Sequence, residues 1–192
     1  MPLANEVGIE TMTAPRDPAK AKRDLIAAGY KGEPIVLLDP SDVAELHPLN
    51  LVGAQALRDA GFKVDVVAQD FASVIRRRLD KKPPDQGGWN VTCTLMDSAY
   101  AFTPSGLFPL RGNGKDGPWG WSVSPRIEAL LQDWYGAGDP AREKEISRAL
   151  QTQLWEDVPY IPMGQYSQKT AYRRTITDVP TGFPLFYGVR PA

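Results

Sequence analysis

The stretch Pro34-Ile35-Val36-Leu37-Leu38 decides the fold class of this chain of 192 residues. Four consecutive apolar residues that stop at Asp39-Pro40 predict a short strand buried on both faces. Downstream, apolar residues recur with helical spacing over residues 46–60, and this helix is expected to end at Gly61. Residues 62–68 then alternate between apolar and charged side chains, which predicts a second strand.

The same pattern continues on both sides of this region. Asp70 is expected to cap a helix over residues 71–79, and residues 89–95 indicate a third strand. Upstream, Asp17-Pro18 is typical of a helix start, and that helix is expected to end at Gly29. The order strand, helix, strand, helix, strand predicts an α/β fold, with a parallel or mixed sheet and helices on both faces.

The second half of the chain follows a different pattern. Residues 97–122 are rich in glycine, proline and aromatic side chains and show little periodicity. Ser124-Pro125 and Asp139-Pro140 each predict the start of a further helix. From Pro159 the chain is expected to be extended, over residues 160–163, 166–173 and 181–189. The predicted organisation is a poorly ordered connector over residues 1–16, a lobe over residues 17–158 and extended segments over residues 159–192.

Composition excludes several classes of function. The 17 glycines and 18 prolines indicate a loop-rich globular protein. The formal net charge is −1, whereas nucleic-acid-binding proteins normally have a clear basic excess. No apolar run approaches the ~20 residues that a membrane-spanning helix needs. With one cysteine and one histidine, we expect no internal disulfide and no metal site built from His and Cys. We also expect no cofactor, and the net charge predicts no nucleic-acid partner.

Two motifs in the chain favour ordinary structural roles. Residues 112–117 match the pattern G-x-G-x-x-G, but Pro118-Trp119-Gly120-Trp121 follows where a dinucleotide site needs a helix, so a flexible loop is expected. Arg76-Arg77-Arg78, with Lys81 and Lys82, is a basic cluster. Because three consecutive residues spread around most of a helix, this cluster is interpreted as a solvated helix end.

Catalytic residues are sparse. The chain has no G-x-S-x-G, and His47, beside Pro48, is interpreted as a surface or capping residue. Cys93 lies within a predicted strand and is interpreted as a small buried hydrophobe. A small α/β hydrolase is therefore disfavoured, because a general base is missing.

Aromatic residues crowd the end of the third predicted strand and the irregular segment after it. Two interpretations remain open for them: they pack a long loop onto the domain, or they form the apolar wall of a ligand cleft. The residues concerned are Trp89, Tyr100, Phe102, Phe108, Trp119 and Trp121.

Several stretches, in order and with consistent spacing, together resemble the family 5 extracellular solute-binding proteins of ABC importers, the dipeptide and oligopeptide-binding group. The resemblance extends from about residue 17 to residue 192. The stretches are Asp17-Pro18-Ala19-Lys20-Ala21-Lys22 to Ala27-Ala28-Gly29-Tyr30, Leu57 to Asp65, Gln69 to Ser73, Trp121 to Leu131, Asp139 to Arg142, Val158 to Met163 and Gly182 to Phe186.

The resemblance implies more than a fold. Family members are more than twice as long, carry a secretion signal and close two lobes around a peptide or related solute. This chain resembles their carboxyl-terminal part, so residues 17–158 are expected to form one lobe of a type II periplasmic-binding-protein fold. The tail is expected to cross to the other lobe. The implied function is solute binding for import, without catalysis, in the periplasm and with an ABC permease as partner; a sensor or interaction module is the alternative.

The family's ligand-binding aspartate follows the strand that matches residues 89–95. An ungapped alignment places Ala99 there, while Asp97 comes two residues earlier, and Leu95-Met96 replaces the family's Gly-Trp. Pairing with a free peptide amine is therefore not expected in the family's manner, and a peptide, an opine, a sugar derivative or a metal chelate all remain open as the solute. The residues expected to line the cleft are Cys93, Met96, Asp97, Tyr100 and Phe102.

Overall fold

The structure, a computed structural model, describes residues 3, 5–117, 119–182 and 186–192. The chain divides into two compact units, Met1–Pro159 and Tyr160–Ala192. Among the described residues, no helix combines the length and apolar character needed to cross a membrane.

A three-stranded parallel sheet lies at the centre of the first unit. Its strands are β1 (Ile35–Pro40), β2 (Val64–Gln69) and β3 (Val91–Thr92), in the order β2-β1-β3. The register pairs Ile35 with Val64 and Leu37 with Val91. The predicted α/β class is confirmed, although β3 is much shorter than the expected strand over residues 89–95.

Helices precede, connect and follow these strands. They are α1 (Ile9–Thr13), α2 (Pro18–Ala27), α3 (Leu46–Asp59), α4 (Phe71–Arg77), α5 (Ser98–Ala101), α6 (Pro125–Tyr135) and α7 (Pro140–Asp157). The predicted caps form as expected. The side chains of Asp17, Asp70, Ser124 and Asp139 each accept a hydrogen bond from a backbone N–H in the first turn of their helix.

The two faces of β1 pack against different helices. Val36 and Leu38 form a buried cluster with Val74 of α4. Leu37 and Asp39 point to the opposite face, because successive side chains of a strand alternate. Asp39 there contacts His47 of α3. The sheet is therefore covered on both faces, by α3 and by α4.

A second apolar cluster holds helices α6 and α7 together. Apolar side chains at helical spacing face one another there and exclude water. The buried residues are Ile127, Leu130, Leu131, Ile146, Leu150 and Leu154.

Residues 5–16, part of the expected connector, carry α1 and reach back to α7. The indole N–H of Trp155 donates to the carbonyl oxygen of Val7 over 2.8 Å, and the amide of Asn5 donates to the carbonyl oxygen of Ser147 over 3.3 Å. The segment is therefore tied to the carboxyl-terminal helix of the same unit.

The second unit contains a small antiparallel pair, β4 (Ile176–Thr177) and β5 (Arg190–Pro191). Residues 160–163 and 166–173, expected to be extended, carry no regular strand or helix. The remaining expected segment, over residues 181–189, lies partly outside the described residues, since 183–185 are not among them.

Candidate functional site

The carboxyl-terminal edge of the parallel sheet brings together residues from separate parts of the chain. β1 ends at Asp39-Pro40 and β3 ends at Thr92, so Cys93 follows at the same edge. Ligands of open α/β sheets characteristically bind beyond this edge. It is the candidate site of this protein.

A hydrogen bond between Asp39 and His47 lies at this edge. The imidazole Nδ1 and the carboxylate Oδ2 are 2.7 Å apart. Asp39 is 1% exposed, whereas the side chain of His47 is 39% exposed. An ionised carboxylate only accepts hydrogen bonds, so Nδ1 carries the proton and Nε2 is the ring nitrogen left for other partners. The interpretation of His47 as a plain surface or capping residue missed this contact.

Asn50 connects the same helix to the end of β3. Its side chain is fully buried; the amide donates to the carbonyl oxygen of Leu46 over 2.9 Å, and Oδ1 accepts the backbone N–H of Cys93 over 3.0 Å. A buried amide whose oxygen and nitrogen both find partners fixes the distance between two elements. Asn50 therefore holds the start of the segment after β3 against α3.

The thiol of Cys93 is held in its neutral form. Burial, reinforced by the negative charge of Asp39, raises the pKa of Cys93 to about 11. Since the thiolate is the reactive form, this thiol is a poor nucleophile near neutral pH.

The segment that follows Cys93 carries the other residues expected in the cleft. Met96 is half-buried, and Asp97 is exposed and caps α5 by accepting the backbone N–H of Ala99 over 2.9 Å. Tyr100 and Phe102 are 55% and 58% exposed. The sequence therefore provides a short helix that presents aromatic side chains just beyond the sheet edge.

Phe102 lies apart from these residues. It lines a shallow hollow with Trp134 of α6 and Lys144 of α7. The structure thus places Cys93, Met96, Asp97 and Tyr100 along one stretch, and it turns Phe102 toward the helix pair.

The remaining aromatic residues pack with one another near the opposite edge of the sheet. Trp89, just before β3, contacts Trp121 with ring centroids 5.8 Å apart. Phe108 contacts Trp119 at 5.0 Å. Of the two interpretations left open, loop packing accounts for these four residues.

Metal binding finds no support in the described part of the chain. Among those residues, no group of three or more His, Cys, Asp or Glu side chains could hold an ion.

Comparison with known proteins identifies a curated relative. It is the "Probable peptide ABC transporter periplasmic-binding protein y4tO" of Sinorhizobium fredii, 32% identical over 177 residues. The match takes in 92% of this chain and 33% of the relative, so the chain spans about a third of that protein's length. No protein-family model matches the chain.

Solved structures share the fold at low sequence identity. The ABC transporter substrate-binding protein CtaP of Listeria monocytogenes is 17% identical, with a TM-score of 0.60 over 74% of this chain and 28% of its own. NikA of Staphylococcus aureus, solved in complex with Ni(L-His)2, is 17% identical, with a TM-score of 0.59 over 75% of this chain and 30% of its own.

The solved structures share the fold, and both kinds of match cover only part of the longer proteins. The expected single lobe and the resemblance inferred from the sequence are both confirmed. This chain is a homologue of the carboxyl-terminal part of a solute-binding protein of the peptide ABC transporter type.

Proposed function

We propose that this chain is part of a protein that captures a peptide or a related small solute and delivers it to a membrane permease. The observation that carries the proposal is the 32% identity to a peptide ABC transporter binding protein over 92% of the chain. The parallel sheet, with its open carboxyl-terminal edge, supports it as a place for a ligand. Periplasmic location and an ABC permease as partner belong to the same proposal.

Ligand capture would use Cys93, Met96, Asp97 and Tyr100, with His47 at the same edge. Phe102, the fifth residue expected in the cleft, lines the hollow beside α6 and α7 and would belong to a separate part of the surface. Tyr100 is an aromatic residue that is 55% exposed, and Asp97 lies at the start of the same short helix. Aromatic walls with a few polar groups are the usual composition of small-molecule sites. A second lobe would close over this surface and remove the ligand from water.

Binding without catalysis fits the chemistry of this edge. His47 with Asp39 resembles the base half of a catalytic triad, but such a base needs an activated nucleophile beside it. Burial keeps the pKa of the Cys93 thiol at about 11. The pair is better explained by positioning, since it anchors the start of α3 to the end of β1.

Calorimetry tests this function. A peptide mixture is titrated into this chain and into a full-length protein that carries it as its carboxyl-terminal part. We expect saturable binding to the full-length protein, and weak or no binding to the chain alone, because one lobe supplies only half of the contacts. Equal affinity of the two would contradict binding between two lobes, and heat from neither would contradict peptide capture.

A variant pair locates the site in the full-length protein. Tyr100→Ala should weaken binding about tenfold or more, since a stacking aromatic face is lost. Tyr135→Ala is the matched control, because Tyr135 is similarly exposed, at the end of α6. Equal effects of the two substitutions would remove Tyr100 from the proposed site.

A further inference from the structure

Arg78 is a buried cation at the end of α4. The residue is only 8% exposed, and its Nε–H is sealed from water without a hydrogen-bond partner. Among the described residues its guanidinium makes no ion pair. This contradicts the expectation that the whole basic cluster, including Arg78, is a solvated helix end.

The surroundings of Arg78 only partly compensate its charge. The guanidinium carbon lies 4.1 Å from the ring centroid of Trp119, a cation–π contact. Burial lowers the pKa of Arg78 from its ordinary value. A buried charge is normally paired, because desolvation is costly without a counter-charge. An anion would supply such a counter-charge.

The geometry leaves one side of the guanidinium available. The cation–π contact uses the flat face, while the N–H donors project from the edges of the plane. Nε is buried without a partner, whereas neither terminal nitrogen is in that state. The terminal N–H groups are therefore the donors that an incoming anion would use.

A second cation, Lys81, follows three residues further along the chain. Its ammonium donates to the carbonyl oxygen of Lys115 over 2.5 Å and lies 5.9 Å from the ring centroid of Trp121, which itself packs on Trp89. The indole N–H of Trp89 is also buried and unpaired. Arg78 and Lys81 thus lie over two tryptophans of one short segment, Trp119 and Trp121 respectively. These two residues and Trp89 are called here the tryptophan cluster.

This arrangement is separate from the candidate cleft. α4 runs back from the carboxyl-terminal end of β2, so Arg78 lies near the opposite edge, where Trp89 leads into β3. Ligand capture beyond β1 and β3 does not use it.

We propose that Arg78 and the tryptophan cluster form a carboxylate-binding site. A planar carboxylate matches the two terminal N–H groups of a guanidinium in a bidentate pair, with Lys81 adding a second positive charge. A single guanidinium suits a monoanion. The carboxylate comes either from a free small acid or from an acidic side chain of a polypeptide.

Tryptophan fluorescence and the Arg Nε–H signals in NMR spectra provide the test. The chain is titrated with sodium acetate, sodium chloride or sodium phosphate at constant ionic strength. We expect acetate to change both signals saturably and chloride to leave them unchanged. Absence of a saturable acetate response in the wild-type chain overturns the proposal, and so does a response to phosphate alone.

Substitutions assign the response to Arg78. Arg78→Gln should weaken acetate binding about tenfold or more. Arg78→Lys should weaken it less, because lysine keeps the positive charge but cannot form the bidentate pair. Arg76→Gln is the matched control, since Arg76 is an exposed arginine on the same helix. Circular dichroism checks that each variant is folded. If Arg78→Gln does not fold, Arg78→Lys replaces it as the test, and its acetate affinity must fall below that of the wild type. An unchanged affinity of the folded Arg78 variant contradicts the assignment.

A further experiment distinguishes the two possible sources of the carboxylate. An acetylated, amidated tripeptide with one central glutamate is compared with its glutamine analogue. Binding of the glutamate peptide at least as tight as that of acetate favours an acidic polypeptide segment, whereas binding of acetate alone favours a free small acid. Equal binding of the glutamate and glutamine peptides would show that the carboxylate is not the recognised group.

Discussion

The pair of Asp39 and His47 leads to the sharpest prediction about stability. His47→Ala removes the hydrogen-bond donor that lies 2.7 Å from Oδ2 of Asp39. The carboxyl group then loses this partner in a position that is 1% exposed, and its Oδ1 already has no hydrogen-bond partner. We expect the native state to become less stable.

The size of the effect follows from burial. Removing one partner of a fully buried ion pair costs about 3–5 kcal/mol. His47 is 39% exposed, so water reaches part of the vacated space, and we expect a loss of about 2 kcal/mol. For a chain of this size, the unfolding midpoint should fall by about 4–8 °C.

A double-mutant cycle isolates the charge. In the wild-type background, Asp39→Asn should cost about 1 kcal/mol, because a charge-assisted hydrogen bond is lost. In the His47→Ala background, the same substitution should stabilise the protein, since it removes an unpaired buried charge.

Urea denaturation, followed by circular dichroism, measures all four species. Val52→Ala, an exposed change on the same helix, is the control and should stay within about 0.5 kcal/mol of the wild type. If Asp39→Asn is equally destabilising in both backgrounds, the two side chains are not coupled, and the role assigned to the pair is refuted.

Three other predictions concern separate parts of the first unit. Cys93 should react with a thiol reagent at pH 8 much more slowly than free cysteine does, and at the ordinary rate in denaturant, because its folded-state pKa is about 11; fast reaction of the folded chain would contradict this. The hydrogen bonds from Arg111 lower the pKa of Glu128 in the folded state. The ion pair therefore stabilises the folded state by about 1 kcal/mol at most. This contribution is complete at pH values above the ordinary glutamate pKa and is lost as the pH falls through the folded-state pKa. In Arg111→Met the free energy of unfolding should therefore fall less steeply with decreasing pH in the acid range. An unchanged pH dependence would contradict the stabilising role of this ion pair. Gly88→Ala places Cβ 1.8 Å from a backbone carbonyl oxygen, whereas at Gly136 the nearest atom is 3.6 Å away, so in urea titrations only Gly88→Ala should lose several kcal/mol, about 3 or more.

Much of the fold could be predicted from residues that are close together in the sequence. Asp17, Asp70, Ser124 and Asp139 cap helices through backbone N–H groups two or three residues ahead. Such contacts form whenever the local chain turns into a helix. The strand at Ile35–Pro40 was equally visible, because its apolar run needs burial on both faces.

The candidate site was only partly visible in the sequence. The stretch from Cys93 to Phe102 was identified through the resemblance to a family, and its part in ligand binding remains a prediction. His47 was missed, since nothing adjacent to it reveals a buried carboxylate. One signal was available: Asp39 ends an apolar strand, and a charge there needs a partner.

By itself, the sequence determined the α/β class, the helix starts and the type of protein, since these depend on spacing and on similarity along the chain. Tertiary structure decided which side chains meet. Asn50 binds the backbone N–H of Cys93 across 43 positions, and Arg78 lies against Trp119 rather than in solvent. The physical reason is the distance along the chain over which each interaction acts. Capping and periodicity act within a few residues, whereas the burial and pairing of a charge depend on how distant elements pack.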